Sequence, residues 1–285
     1  MCILFYGNCQ LNAICQTLNL DKNKFSIFNI SCHNTNISKE DFTTILNQCD
    51  LVVTQSIKDN YRNTDYLSTS YVINNATRST CNIIILDSCY FNFYHFDVEY
   101  KYFNNNILYN PVDYHHKYMI DSYHNNLSIE DYINNYHNNT ELKSSEELEI
   151  IANNSLDELN RHYENNIKKY YNGRNVYLIP TYNFIKNNYK DKLLFYSINH
   201  PTKYLIQYIC EEILNLINLL ENNHLKNTIN YQIDILSTEP KCLLYKCIQK
   251  NITFDLIEHV PYILGNTDIY EITKIYYDTY KSINF

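Results

Sequence analysis

Glycine is nearly absent from this chain, with three in 285 residues, beside five prolines, two methionines and no tryptophan. So few glycines exclude a dinucleotide-binding Gly-x-Gly-x-x-Gly and a phosphate-cradling P-loop, which need several close together. No apolar run reaches the roughly 18 to 20 residues of a membrane span. The amino terminus has neither the basic region nor the long apolar core of a signal peptide. Positive charge is also scarce: the formal net charge is −8 and the pI about 5.7. No broad basic field draws in a polyanion, so nucleic acid is not an expected partner. The ten cysteines, without a secretory signal, read as reduced thiols. The expected location is cytoplasmic, the host cytoplasm if the source is viral.

What the chain has in excess is tyrosine, 30 residues, together with Asn, Ile and Lys. These residues share A/T-rich codons, so the bias reads as that of a genome of the giant-virus or A/T-rich protist kind. Such a background raises the information carried by each glycine that remains. Gly7 lies between the apolar run Cys2-Ile3-Leu4-Phe5-Tyr6 and the polar triplet Asn8-Cys9-Gln10. A glycine there marks a tight strand-to-helix turn, by positive φ or by close backbone approach.

The first half alternates strands and helices. Cys2 to Tyr6, Phe25 to Ile30, Leu51 to Thr54 and Ile83 to Leu86 read as strands, the last two as buried parallel ones. Gln10 to Leu18 has helical spacing, and Ser38-Lys39-Glu40-Asp41 starts a second helix. From Pro111 the texture turns to Tyr, His and Asn. Helix starts are expected at Ser128 and Ser155, the second helix running to a cap at Gly173. A sheet strand is expected at Leu193 to Ile198. An apolar helix follows from about Pro201 to Leu220, with His200 at or beside its N-cap. Helical patterns near 239–250 and 267–282 close the chain.

The predicted class is therefore α/β, a mostly parallel central sheet flanked by helices, with a helical insertion and a helical C-terminal part. We read residues 1–285 as one catalytic domain: an α/β first half over 1–110, a helical insertion or lid over 111–175, and a returning strand plus helices over 176–285.

Two polar clusters follow predicted strands, Gly7-Asn8-Cys9-Gln10 and Asn199-His200-Pro201. In open α/β sheets, ligand sites form beyond the carboxyl ends of strands, so a Cys9–His200 pair is expected there. A thiol at a helix amino end is activated as thiolate, and an imidazole serves as base. The amides of Asn8 and Asn199, with the N–H groups of Cys9 and Gln10, are candidate oxyanion donors. Gln55, ending the third strand, is a candidate orienting group. Arg62, Arg78 and Lys203 are the cations nearest predicted strand ends and are the candidates for a phosphate-bearing cofactor. Cys32-His33, His115-His116 and Cys242-x4-Cys247 lack a second pair at zinc-finger spacing, so no metal is expected. His115, His116, His124 and His137 read as a solvated helical face.

Tyr6-Gly7-Asn8-Cys9-Gln10, Thr54-Gln55-Ser56-Ile57 with Tyr61-Arg62, Ser155-Leu156-Asp157-Glu158-Leu159, and Leu194-Phe195-Tyr196 leading into Asn199-His200-Pro201-Thr202 resemble the WcbI family of polysaccharide-biosynthesis acetyltransferases. The Gly-Asn-Cys-Gln and Asn-His-Pro elements are the specific ones. The resemblance implies a coenzyme A-binding α/β enzyme that transfers acetyl from acetyl-CoA to a sugar hydroxyl or amine, with Cys9 and His200 as its dyad. The acceptor is expected to be a small sugar, a nucleotide-linked sugar or a glycan. A fainter likeness to SGNH-type hydrolases leaves a thiol-dependent esterase or deacetylase open. That likeness is weakened because Ser197 stands where those enzymes keep an Asp. A glycan-binding module using tyrosine rings is the non-enzymatic reading. Asp87-Ser88-Cys89-Tyr90-Phe91 departs from the Gly- or Pro-containing loop expected after the fourth strand.

Overall fold

The apolar runs of the first half become the centre of a parallel sheet in the computed structural model, which describes every residue except 35, 79, 172–174, 222–227 and 257–258. Strands β1 (Cys2–Gly7), β2 (Ser26–Ser31), β3 (Leu51–Gln55), β4 (Asn82–Leu86) and β5 (Val176–Ile179) lie in the order β2-β1-β3-β4-β5. All four pairings are parallel. Central β3 is buried along its whole length, whereas edge strand β2 alternates between exposed and half-buried positions. A strand covered on both faces reads as a continuous apolar run and an edge strand does not.

Helices α1 (Cys9–Thr17), α2 (Lys39–Gln48) and α3 (Thr69–Asn75) connect the early strands. Each starts on a side-chain cap from Asn8, Ser38 or Ser68 that accepts from a first-turn N–H. Long helix α4 (Ser145–Tyr170) leads toward β5, and α5 (Thr181–Asn188) and α6 (Lys203–Glu221) follow it. Leu4, Tyr6, Phe42, Val52 and Ile85 belong to one buried cluster around the sheet, each such side chain contributing about 1.5–3 kcal/mol. The Tyr6 hydroxyl donates to the Leu67 carbonyl at 2.8 Å.

Contacts between residues group the chain into two compact units. The first is Met1–Cys89, Glu158–Lys186 and Pro201–Leu236; the second is Tyr90–Asp157, Asn187–His200 and Ser237–Phe285. The first holds the five-stranded sheet. The second is built on short two-residue ladders, the helix Lys117–His124, and the final helix α7 (Ile269–Ile283). Its core includes Tyr114, Met119, Tyr132, Cys242, Tyr276 and Tyr280. No helix among the described residues is long and apolar enough to cross a membrane.

Several sequence expectations need correction. Helix α4 starts at Ser145 rather than Ser155, because Ser144 and Glu147 form the reciprocal cap: Ser144 Oγ accepts from the Glu147 N–H and Glu147 accepts from the Ser144 N–H. Ser155 instead accepts from the Asn92 N–H at 3.1 Å. The expected cap at Gly173 lies outside the described residues. The segment Phe195–Ser197 is not a strand of the central sheet; it pairs with the two-residue strand His200–Pro201. His200 is therefore not an N-cap, since α6 begins at Lys203. His115 and His116 are buried in a short strand rather than spread on a solvated helical face.

Candidate active site

The strand order β2-β1-β3-β4-β5 reverses direction between β1 and β3, and the crevice beyond the carboxyl ends at such a switch point is where open α/β sheets bind ligands. Gly7, Asn8 and Cys9 follow β1 there, and Gln55 ends β3. Gly7 is needed for space rather than for a positive φ: a Cβ at this position would lie 2.6 Å from Gln55 Oε1 and 2.8 Å from Leu11 Cγ. Replacing Gly7 by Ala is expected to cost about 1–3 kcal/mol through overpacking. Urea unfolding measures it, and a loss of a few tenths would show that Gln55 moves aside freely.

Gln55 ties the loops together. Its Oε1 accepts from the Asn8 N–H at 2.7 Å, and its Nε2 donates to Gln10 Oε1 at 3.1 Å and to Ser88 Oγ at 3.4 Å. Gln10, itself buried, accepts from the Cys89 N–H at 3.1 Å and donates to the Cys89 carbonyl at 2.9 Å. The two glutamines thus lock together the loops after β1, β3 and β4. Asn8 Oδ1 accepts from the Gln10 N–H at 2.9 Å. The Gln10 N–H, assigned by sequence to an oxyanion, is therefore spent on the helix cap, and the same bond fixes the orientation of the Asn8 amide. Cys9 is the first residue of α1 and half-buried, at the end of the helix where the dipole favours an anion.

Two further groups here, Asp87 in the loop after β4 and Asn166 on α4, were not among the site residues read from the sequence. Asp87 immediately follows β4 and is 7 % exposed; Asn166 Nδ2 donates to it, while Asn166 Oδ1 accepts from Ser56 Oγ at 2.8 Å. Burial pushes the Asp87 carboxyl up to about 6, against the opposing pull of Asn166 and His162. Its place just past a parallel strand was the signal available.

The candidate cations separate. Arg62, in the loop after β3, donates to the His33 carbonyl at 3.5 Å and lies over the Tyr61 ring, whose hydroxyl it also engages; it forms no ion pair among the described residues. Arg78 lies before β4, at the amino edge of the sheet, bound to Asp50 at 2.7 Å and to the Gln48 carbonyl at 2.8 Å. That placement removes it from a site at the carboxyl edge. Lys203 opens α6 with its ammonium over the Tyr204 ring. The described residues hold no cluster of three or more metal-ligating side chains.

His200 belongs to the second unit and is 8 % exposed. Its Nε2 is 3.4 Å from the Tyr114 hydroxyl, which donates to Asn199 Oδ1 at 2.6 Å. Ser197 Oγ also donates to Asn199 Oδ1, and Asn199 Nδ2 donates to the Tyr100 hydroxyl at 3.0 Å. The Asn199 amide therefore organises three hydroxyls beside the imidazole, a role different from the oxyanion donor read from sequence. Burial lowers the His200 pKa below its usual value, opposed by the Glu239 carboxylate and the Pro240 carbonyl. A neutral imidazole at neutral pH is what a general base requires.

Residues 2–222 match the family described as polysaccharide biosynthesis enzyme WcbI. A solved structure is similar over 99% of this chain and 89% of its own, with a TM-score of 0.77 at 19% identity. It is described as WcbI, a novel polysaccharide biosynthesis enzyme, in the native form without a disulfide bond between coenzyme A and one of its cysteines. No curated protein matches the chain. The structural likeness establishes the fold, and the family match spans most of the sequence. The chain belongs to the WcbI family of polysaccharide biosynthesis enzymes.

Proposed function

We infer that this protein is a coenzyme A-dependent acetyltransferase that acts on a sugar hydroxyl or amine during glycan assembly. The observation that carries the reading is Cys9, half-exposed at the amino end of α1 and at the β1/β3 switch point. Coenzyme A supplies an activated acyl thioester and a thiol of the kind named beside a cysteine in the structural neighbour. The donor set fits such a group in one respect: Arg62, without a carboxylate partner among the described residues, stands at the carboxyl side of the sheet where a phosphate would be held.

In the covalent route, Cys9 sulfur bonds to the acetyl carbon as the donor's carbon–sulfur bond breaks, and the departing thiolate takes a proton. The acceptor oxygen or nitrogen then displaces Cys9 sulfur while His200 accepts its proton. In the direct route His200 accepts the acceptor's proton as the acceptor oxygen or nitrogen bonds to the acetyl carbon, the donor's carbon–sulfur bond breaks, and the departing thiolate takes the proton, with no acetyl-Cys9 stage. Asp87 and Tyr114 are assigned no proton transfer.

Coenzyme A at 100 times its Kd is expected to stabilise the fold by about 2.7 kcal/mol. Absence of any thermal shift at millimolar coenzyme A overturns the reading in favour of an esterase or deacetylase. Rapid quench with labelled acetyl-CoA tests the route: label on Cys9 supports the covalent one, and full turnover by Cys9→Ala eliminates it. Joint action of Cys9 and His200 predicts strongly non-additive losses in the double variant.

A further inference from the structure

Asp87, in the loop that departs from the Gly- or Pro-containing one expected after the fourth strand, stands level with the loop that carries Cys9. The pairings of Tyr6 with Thr54 and of Gln55 with Leu86 run on through the Ser56 N–H, which donates to the Leu86 carbonyl at 2.9 Å. Asn8, Ser56 and Asp87 therefore follow β1, β3 and β4 on one rung. Neighbouring strands lie about 4.8 Å apart, which sets the Asp87 backbone about 10 Å from that of Asn8, the residue before Cys9. All of these residues belong to the first unit.

Only half of this carboxyl is used. Asn166 Nδ2 donates to Oδ1. Oδ2 has no hydrogen-bond partner among the described residues, yet it is not sealed from water, although the residue as a whole is buried. No lysine or arginine among the described residues pairs with it. The titratable groups that face it are His162 and Tyr163 on α4 and the Cys89 thiol. His162 Nε2 is bonded to Glu158 at 2.9 Å. Burial raises the Asp87 carboxyl to about 6, so it is ionised at neutral pH. A buried carboxylate without a cation is costly, and a ligand that brings the cation removes that cost.

The same charge selects the ligand. An anion is repelled. A metal ion lacks ligands, since the described residues hold no cluster of three metal-ligating side chains. A hydroxyl gives Oδ2 a hydrogen bond that water gives equally well. An ammonium gives charge and hydrogen bond together, and a bond in which both partners are charged is roughly twice as strong as a neutral one. In a protein that acetylates a sugar, the ammonium is that of an amino sugar.

We propose that Asp87 selects an amino sugar as the acceptor by holding its ammonium group on Oδ2. The proposal rests on the acetyl-transfer reading for the sugar and on the half-used carboxylate for the charge. A held ammonium has no lone pair, so that nitrogen is a handle for recognition rather than the attacking atom, and Asp87 acts by binding.

Saturation-transfer NMR on the full chain at neutral pH, with and without coenzyme A and never with acetyl-CoA, tests it. Glucosamine and galactosamine are the probes; glucose, galactose and N-acetylglucosamine are the uncharged controls. The coenzyme A thermal shift reads the transferase separately, so either reading can fail while the other stands. At least one amino sugar is expected to bind about tenfold or more tightly than its uncharged hexose, the scale of one hydrogen bond to a charged group. N-acetylglucosamine should bind like glucose. Asp87→Asn keeps an oxygen for Asn166 and removes the unpaired charge, so it should melt no lower than the parent protein and bind amino sugar and hexose equally. If that variant fails to fold, the parent protein at a pH of about 5 decides: the sugar amine stays protonated there while the carboxyl takes up a proton, so the preference should vanish while hexose binding remains. Equal affinities at neutral pH, a preference kept by Asp87→Asn, a preference unchanged at the lower pH, or no saturation by either amino sugar at tens of millimolar overturns the proposal.

Discussion

Acidifying the protein from pH of about 7 to about 4.5 is expected to remove several kcal/mol of its stability, with the loss centred in the second unit. Three imidazoles there are held neutral. Burial lowers His95 to about 3, reinforced by the nearby His259 and His116 and opposed by the Leu243 and Phe195 carbonyls. Burial likewise lowers His137 and His259 to about 4. In the unfolded chain each titrates near 6.5. Between these values the unfolded state binds protons that the folded state refuses, so stability falls as pH falls. The contribution is fully present above about 6.5 and is lost once pH drops through the folded values. Each pH unit inside that window costs about 1.4 kcal/mol per histidine. Three histidines at pH 5 thus remove a large share of the roughly 5–15 kcal/mol that holds a domain together.

Asp87 acts in the opposite direction. Its carboxyl is raised to about 6, so its contribution is complete below the unfolded value of about 3.9 and is lost as pH rises through about 6. One carboxyl shifted by about two units cannot offset three imidazoles shifted by more than that. Urea unfolding at a series of pH values, followed by tyrosine fluorescence, gives the proton uptake from the slope. Net uptake of about two protons at pH 5 is expected, about three taken up by the imidazoles less about one released by Asp87; no net uptake would mean that these rings are accessible to solvent.

The same comparison shows what the residue pattern could and could not convey. Strands β1, β3 and β4 were legible because burial on both faces leaves an unbroken apolar run, and Ser38 and Ser128 were legible as caps because capping is a local interaction. Gly7 was legible because glycine is so rare here, although its reason proved to be the 2.6 Å approach of Gln55 rather than its φ. Ser155-Leu156-Asp157-Glu158 carries the same cap signature as Ser144-Ser145-Glu146-Glu147, and only tertiary contacts decide which one starts the helix. Phe195–Ser197 was misassigned to the central sheet because the short, mostly apolar run Leu193 to Ile198 does not specify a partner strand. The Asn8 and Asn199 amides and the Gln10 N–H read as oxyanion donors in sequence. The Gln10 and Asn199 side chains bond residues as distant as Cys89 and Tyr114, so that engagement becomes visible only in the fold.

Removing the carboxyl of Asp97 is expected to be among the most damaging single changes in the second unit. Asp97 and His116 are 2 % and 1 % exposed. The Leu243 N–H donates to His116 Nε2 at 3.4 Å, which fixes the proton on Nδ1, and Nδ1 donates to Asp97 Oδ1 at 3.0 Å. The Tyr245 hydroxyl donates to Asp97 Oδ2, so the Tyr132 hydroxyl, 3.0 Å away, must donate to Tyr245. One carboxyl thus closes a chain of donors that begins in two different tyrosines and a histidine, all buried. Asp97→Ala leaves the His116 Nδ1–H and the Tyr245 O–H without acceptors in a site from which water is excluded. Breaking such a buried pair from one side costs about 3–5 kcal/mol. Asp97→Asn keeps one acceptor oxygen but sets an amide N–H₂ against the other donor, so its cost should be smaller, about 1–3 kcal/mol. Urea midpoints for the parent and both variants separate the cases. A loss below about 1 kcal/mol in Asp97→Ala would show that the donors find other acceptors. Equal losses in the two variants would show that the pair of acceptor oxygens acts as a unit, whereas no loss in Asp97→Asn beside a large one in Asp97→Ala would show that packing volume, rather than the hydrogen bonds, is what Asp97 supplies.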